Sequence, residues 1–154
     1  MKLCIVRHGV AVLGADSDDQ RVLRPEGLQQ AHMAGRWLAS EGLSRPQLFA
    51  SPYVRTQQTA TEIGSALGCE PQLMTELVPG SEPQVVVEQL LEMTDDVVLV
   101  SHLPLVGRLA AWLVDGEVYD QPWSPAECWL LEGDVFAAGC MTVTQVWYPE
   151  LENT

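Results

Sequence analysis

Positive charge is what this chain has least of. One lysine and seven arginines face 21 carboxylates, for a formal charge of −13. Nucleic acids and acidic bilayers are held by basic patches that displace their counterions, so neither is expected as a partner. Long apolar runs are also missing. Nothing approaches the roughly 18 to 20 residues needed to cross a bilayer, and the apolar stretch behind Lys2 is too short for a secretory leader, so a cytoplasmic location is expected. The four cysteines, Cys4, Cys69, Cys128 and Cys140, form no C-x-x-C pair and have no histidine at zinc-ligand spacing. That argues against a metal or redox centre and for reduced, mostly buried thiols. No metal and no cofactor are expected.

What remains is an ordinary globular composition. Of 154 residues 47% are hydrophobic and only 19% charged, which rules out disorder and leaves enough apolar surface for one core. A single domain over 1–154 is expected, with neither repeat nor linker.

The chain alternates two periodicities. Residues 2–7 and 97–100 are continuous β-branched runs of the kind buried on both faces of a sheet, and 47–50 is a shorter strand. Residues 10–24 read as a loop. Pro25 starts a helix with apolar positions at Leu28, Ala31, Ala34 and Leu38. A second helix runs over about 53–67, opened by Ser51-Pro52 and stopped by Gly68, and another follows Pro104. The segments 128–131 and 141–147 form a terminal hairpin around Gly133 and Gly139. Strands alternating with helices predict a three-layer α/β/α fold on a mainly parallel central sheet.

In such sheets ligands bind beyond the carboxyl ends of the strands. The residues there are Arg7-His8-Gly9, Ser51-Pro52-Tyr53-Val54-Arg55 and Ser101-His102-Leu103-Pro104. Two of three histidines and two of seven arginines therefore converge on one edge. Guanidinium groups bind phosphoryl oxygens bidentately at any working pH, and nearby positive charge keeps an imidazole unprotonated and nucleophilic. Helix N-termini near residues 53 and 103 point the same way.

These residues carry a resemblance. Arg7-His8-Gly9 after the first strand resembles the signature of the histidine phosphatase superfamily, branch 1, whose fold is phosphoglycerate-mutase-like. The stretch Ser51-Pro52-Tyr53-Val54-Arg55-Thr56-Gln57-Gln58-Thr59-Ala60 resembles its second motif and Ser101-His102 its third. Together with the short chain, Ser101-His102-Leu103-Pro104-Leu105-Val106-Gly107 resembles the SixA-type phosphohistidine phosphatases. The resemblance implies a metal-independent hydrolase in which His8 is transiently phosphorylated and Arg7, Arg55 and His102 hold the phosphoryl oxygens. It also implies substrate-binding roles for Arg21, Gly9 and Ser51, Arg21 being open to a second reading as an ion pair with the Asp16 to Asp19 cluster.

The sequence departs from the family at two places. Val10 stands where many SixA-type chains carry an acidic residue, and the nearest match to the family's general acid is Glu76. A weak acid is tolerable for a labile P–N bond and damaging for ester hydrolysis. Only 20 residues separate Glu76 from Val97, which implies a minimal version of the fold without a lid over the site. An open site suits a protein substrate, expected to be a histidine phosphotransfer or phosphocarrier protein of bacterial signalling, acted on by a monomer. The alternatives are a small-molecule phosphomonoesterase of the same superfamily and a non-catalytic phosphate-binding module.

Overall fold

The computed structural model describes residues 1–150. The elements run β1 (Lys2–Arg7), α1 (Pro25–Ala39), β2 (Gln47–Ala50), α2 (Val54–Leu67), β3 (Gln72–Leu73), α3 (Pro83–Leu90), β4 (Val97–Ser101), α4 (Leu105–Asp115), β5 (Cys128–Glu132) and β6 (Thr142–Trp147), with 3-10 turns at Asp18–Gln20 and Thr75–Leu77. The six strands form one sheet in the order β3-β2-β4-β1-β5-β6. Its first four strands are parallel, as expected, whereas β5 runs antiparallel to both β1 and β6, so the sheet is mixed rather than mainly parallel at the terminal hairpin.

The layering follows from the two-residue period of the strands. Leu3, Ile5, Phe49, Val97 and Leu99 point to one face and pack on Val86 and Leu90 of α3 and Leu105, Leu109 and Leu113 of α4. Cys4, Val6, Leu48, Val98 and Val100 point to the other and pack on Ala34 and Leu38 of α1 and Ala60 and Ile63 of α2. Truncating Leu38 or Ile63 to Ala, both fully buried, would cost about 2–5 kcal/mol because the close-packed layers cannot collapse onto the void. Gly68 ends α2 in the left-handed conformation, with φ 74°, as its place after the last apolar position predicts.

Two expectations need correction. Only Cys4 and Cys128 are buried, while Cys69 is half-buried and Cys140 exposed, so the thiols are not mostly buried. The loop over 10–24 carries a backbone ladder of its own, in which Ala11 bridges Leu23 and Val12 N–H donates to the Val22 carbonyl at 2.9 Å. Among the described residues no helix is long and apolar enough to cross a membrane.

Candidate functional site

β1 and β4 are parallel neighbours whose last residues, Arg7 and Ser101, stand side by side in register. The residue after each strand is a histidine, and the ring centroids of His8 and His102 lie 5.3 Å apart, edge to face. β2 flanks β4 on its other side and leads through Ser51 into α2, whose second residue is Arg55. The three motifs therefore meet because three adjacent strands end at the same height.

His8 is fixed through its own backbone neighbour. Its Nδ1 lies 2.6 Å from the Gly9 carbonyl oxygen, which can only accept, so the ring proton is on Nδ1 and the lone pair on Nε2. Arg55 Nε donates to that Nε2 at 3.3 Å. Burial pushes the ring's pKa from 6.5 to about 4, opposed by the Gly9 carbonyl and helped by Arg55, Arg7 and Arg21. The imidazole is a neutral base at physiological pH.

His102 is fixed differently. Its Nε2 lies 2.6 Å from Ser51 Oγ, which also bonds Thr56 Oγ1 at 2.6 Å and accepts the Tyr53 N–H at 3.3 Å. Its Nδ1 is buried with no partner among the described residues. Burial, with His8 and Arg55 close by, lowers its pKa to about 2. Tyr53 packs edge-on against the ring, centroids 4.8 Å apart, and stacks under the Arg55 guanidinium at 4.9 Å.

The two arginines are equally committed. Arg7 Nη1 donates to the Trp123 carbonyl at 2.6 Å, while its buried Nε has no partner among the described residues. Burial lowers its pKa and the neighbouring Glu127 opposes the shift. Arg55, only 5% exposed, donates Nη1 to the Asp18 carbonyl at 2.7 Å and Nη2 to Asp18 Oδ2 at 3.2 Å. An unpartnered donor at Arg7 and an unpartnered nitrogen at His102, beside an imidazole lone pair capped by Arg55, suit a group with several negative oxygens around an electrophilic centre.

Other expected residues take different places. Arg21 pairs with Asp18 through Nη1 at 3.0 Å, which is the ion-pair reading, and Asp18 in turn reaches Arg55. Ser51 is fully buried behind His102 and is not a surface for substrate. Gly9 is occupied on both sides, its N–H on Thr59 Oγ1 at 3.2 Å and its carbonyl on His8. A Cβ there would meet the Gly27 carbonyl oxygen at 2.5 Å, so the close approach that the glycine permits is that of backbone, not substrate.

Glu76 sits on the 3-10 turn after β3, bonds Thr75 Oγ1 at 3.0 Å and lines a cleft with Phe49, Leu73 and Met93. Among the described residues it contacts neither histidine nor either site arginine. Sequence reasoning missed Tyr53, Thr56 and Trp123, and it named Asp18 only within the acidic cluster facing Arg21, not as a partner of Arg55. Tyr53 and Thr56 carried a signal, lying inside the second motif.

The comparisons with known proteins follow the same lines. The model of the histidine phosphatase superfamily, branch 1, matches residues 3–78. The chain is 34% identical over 123 residues to the phosphohistidine phosphatase SixA of Escherichia coli K12, covering 76% of each chain. It is 35% identical over 126 residues to a SixA homolog of Haemophilus influenzae, covering 73% of this chain and 77% of that one. The solved structure of the protein histidine phosphatase SixA complexed with tungstate superposes with a TM-score of 0.85 at 28% identity, covering 96% of this chain and 97% of that chain.

Proposed function

This chain belongs to branch 1 of the histidine phosphatase superfamily, and from that premise we propose that it is a metal-independent phosphohistidine phosphatase. The observation that carries the reading is the tautomer of His8, whose Nδ1–H is spent on the Gly9 carbonyl so that Nε2 offers its lone pair beside Arg55. In the first step Nε2 attacks phosphorus in line and a new P–N bond forms. The P–N bond of the substrate breaks, and its electron pair leaves on the substrate imidazole, which takes up a proton. In the second step water attacks phospho-His8, the P–Nε2 bond breaks, orthophosphate departs and the ring returns to its neutral form. Arg55, while capping Nε2, must release it, and phosphoryl oxygens are the stronger acceptors that draw the guanidinium away. Arg7 Nε and His102 Nδ1, which have no partner among the described residues, would take the remaining oxygens.

Support for a phosphohistidine over a phosphate ester comes from the leaving group. Glu76 hydrogen-bonds Thr75 and no histidine or arginine of the site, and an alkoxide would depart poorly without a positioned acid, while imidazole departs readily. Between Leu77 and Val97 the chain builds only α3 and its connections, which favours access for a side chain on another protein. The substrate we infer is a histidine phosphotransfer or phosphocarrier protein docking near Arg21 and Arg24, of which Arg24 is exposed and pairs with Glu26 at 3.5 Å.

The test is to expose the enzyme briefly to a phosphohistidine protein and analyse its peptides by mass spectrometry at alkaline pH. An added phosphoryl group on the peptide containing His8 is expected. Turnover without any such modification, or turnover that survives His8→Ala, would overturn the reading.

A further inference from the structure

The stretch Asp16 to Arg21 is rich in carboxylates and exposed, yet it is anchored at its neck. Val12 pairs with Val22, and Leu23 N–H donates to Gln58 Oε1 on α2 at 2.7 Å. The 3-10 turn Asp18–Gln20 is thereby held against the first turns of α2, and Asp18 meets the site with three of its oxygens. Oδ1 accepts from Arg21 Nη1 at 3.0 Å, Oδ2 from Arg55 Nη2 at 3.2 Å, and the backbone carbonyl from Arg55 Nη1 at 2.7 Å. One planar guanidinium therefore spans the nucleophile at one end and a carboxylate at the other.

We propose that the Asp18 carboxylate is an internal counterpart of the phosphoryl group, yielding Arg55 and Arg21 when that group arrives and reclaiming them as orthophosphate leaves. The proposal rests on the phosphatase reading of the same site. A carboxylate offers the same planar, acceptor-only pair of oxygens that a phosphoryl group presents to a guanidinium fork. Asp18 can move because its side chain remains 58% exposed. Arg55 does not need it for orientation, being held by His8 Nε2, by the Asp18 main-chain carbonyl and by the Tyr53 ring. The backbone bond can persist while the carboxylate swings out. Phosphate then binds only to the fraction of molecules in which those donors are free, so its apparent affinity falls by that fraction. Two ion pairs made by one exposed carboxylate, to the buried Arg55 and the half-buried Arg21, set this factor at roughly three- to tenfold. A cluster of cations strong enough to hold the transition state would otherwise retain the product.

The experiment compares inorganic phosphate binding to the full chain and to Asp18→Asn, by calorimetric titration and by product inhibition of phosphohistidine turnover. Asp18→Asn keeps the main-chain carbonyl and the side-chain size. It should bind phosphate roughly three- to tenfold more tightly and be inhibited by correspondingly less of it. Asp19→Asn removes the same charge one residue away, and its effect should stay under about twofold because exposed charges are screened. Unchanged or weaker phosphate binding in Asp18→Asn overturns the proposal, since an anchoring carboxylate would weaken binding when lost. An equal gain in Asp19→Asn overturns it too, as a general charge effect. If the unaltered protein turns over phosphohistidine and Asp18→Asn is no tighter, this proposal alone fails. If the unaltered protein neither binds phosphate nor becomes phosphorylated on His8, the phosphatase reading fails with it.

Discussion

The turn after β1 and the turn after β4 each deliver one buried histidine to the same place, and they secure it by opposite means. His8 is held through Nδ1 by a main-chain carbonyl, which leaves its other nitrogen facing a cation. His102 is held through Nε2 by a hydroxyl, which leaves Nδ1 unpartnered among the described residues. A carbonyl accepts and cannot donate, so it allows one tautomer. A hydroxyl does both, so Ser51 can place the proton of His102 on Nδ1 by donating to Nε2. On the proposed reading the same side chain serves as a nucleophile at one turn and as a hydrogen-bond donor at the other.

The largest effect expected from breaking this pair is at His8. His8→Ala should lower phosphohistidine turnover by about 10⁴ or more, because no other group forms the covalent intermediate. His102→Ala should lower it by about 10² to 10³, the usual cost of one transition-state donor, with phospho-His8 still trappable at long times. Equal losses in a single-turnover assay would erase the distinction between the two turns.

Next in size is the hydroxyl behind His102. Ser51→Ala should reduce kcat by about tenfold with little change in KM and cost about 1–3 kcal/mol of stability, since it strips buried partners from His102 and Thr56. Ser51→Thr should restore most of kcat if the hydroxyl sets the tautomer. Failure of threonine to rescue while stability recovers would assign Ser51 to packing alone. No side-chain change can make the equivalent cut at His8, whose partner is backbone.

The smallest and most diagnostic effect is in acid. Both rings lie below 6.5, His8 at about 4 and His102 at about 2. Unfolding would restore their ordinary values, so below 6.5 the unfolded chain binds more protons than the native one. The stabilisation associated with neutral rings is complete above pH 6.5 and declines as the pH falls, through about 4 for His8 and onward toward 2 for His102. Ring resonances of His8 and His102 followed by NMR should show no titration of either between pH 5 and 8. A midpoint near 6.5 for His8 would remove its claim to be a neutral nucleophile set apart by its surroundings.

Much of this was legible in the chain. Continuous apolar runs marked β1 and β4, and Pro25 and Gly68 marked helix limits, because those signals are local. The convergence of Arg7, His8, Arg55 and His102 was legible because each stands at or shortly beyond the end of a strand and the ligand edge of a parallel sheet is fixed by topology. Asp18 was not, since its contact with Arg55 crosses 37 positions and depends on how a loop folds back. The placement of Glu76 was hidden for a related reason. It lies on the 3-10 turn beyond β3, the sheet edge, and that turn folds back toward β4, where Ser101 Oγ donates to the Leu77 carbonyl at 2.6 Å.

The crossing of Gly9 and Gly27 has a further implication for how this molecule tolerates change. A methyl group at Gly9 would run into the Gly27 carbonyl oxygen at 2.5 Å, and one at Gly27 into that of Val10 at 2.1 Å. Neither obstacle is a flexible tip that could step aside. Relief has to come from sliding the first connection off the start of α1, and that connection is the mooring of the reactive ring. Alanine scanning should therefore find damaging neutral substitutions at two positions that have no chemistry of their own.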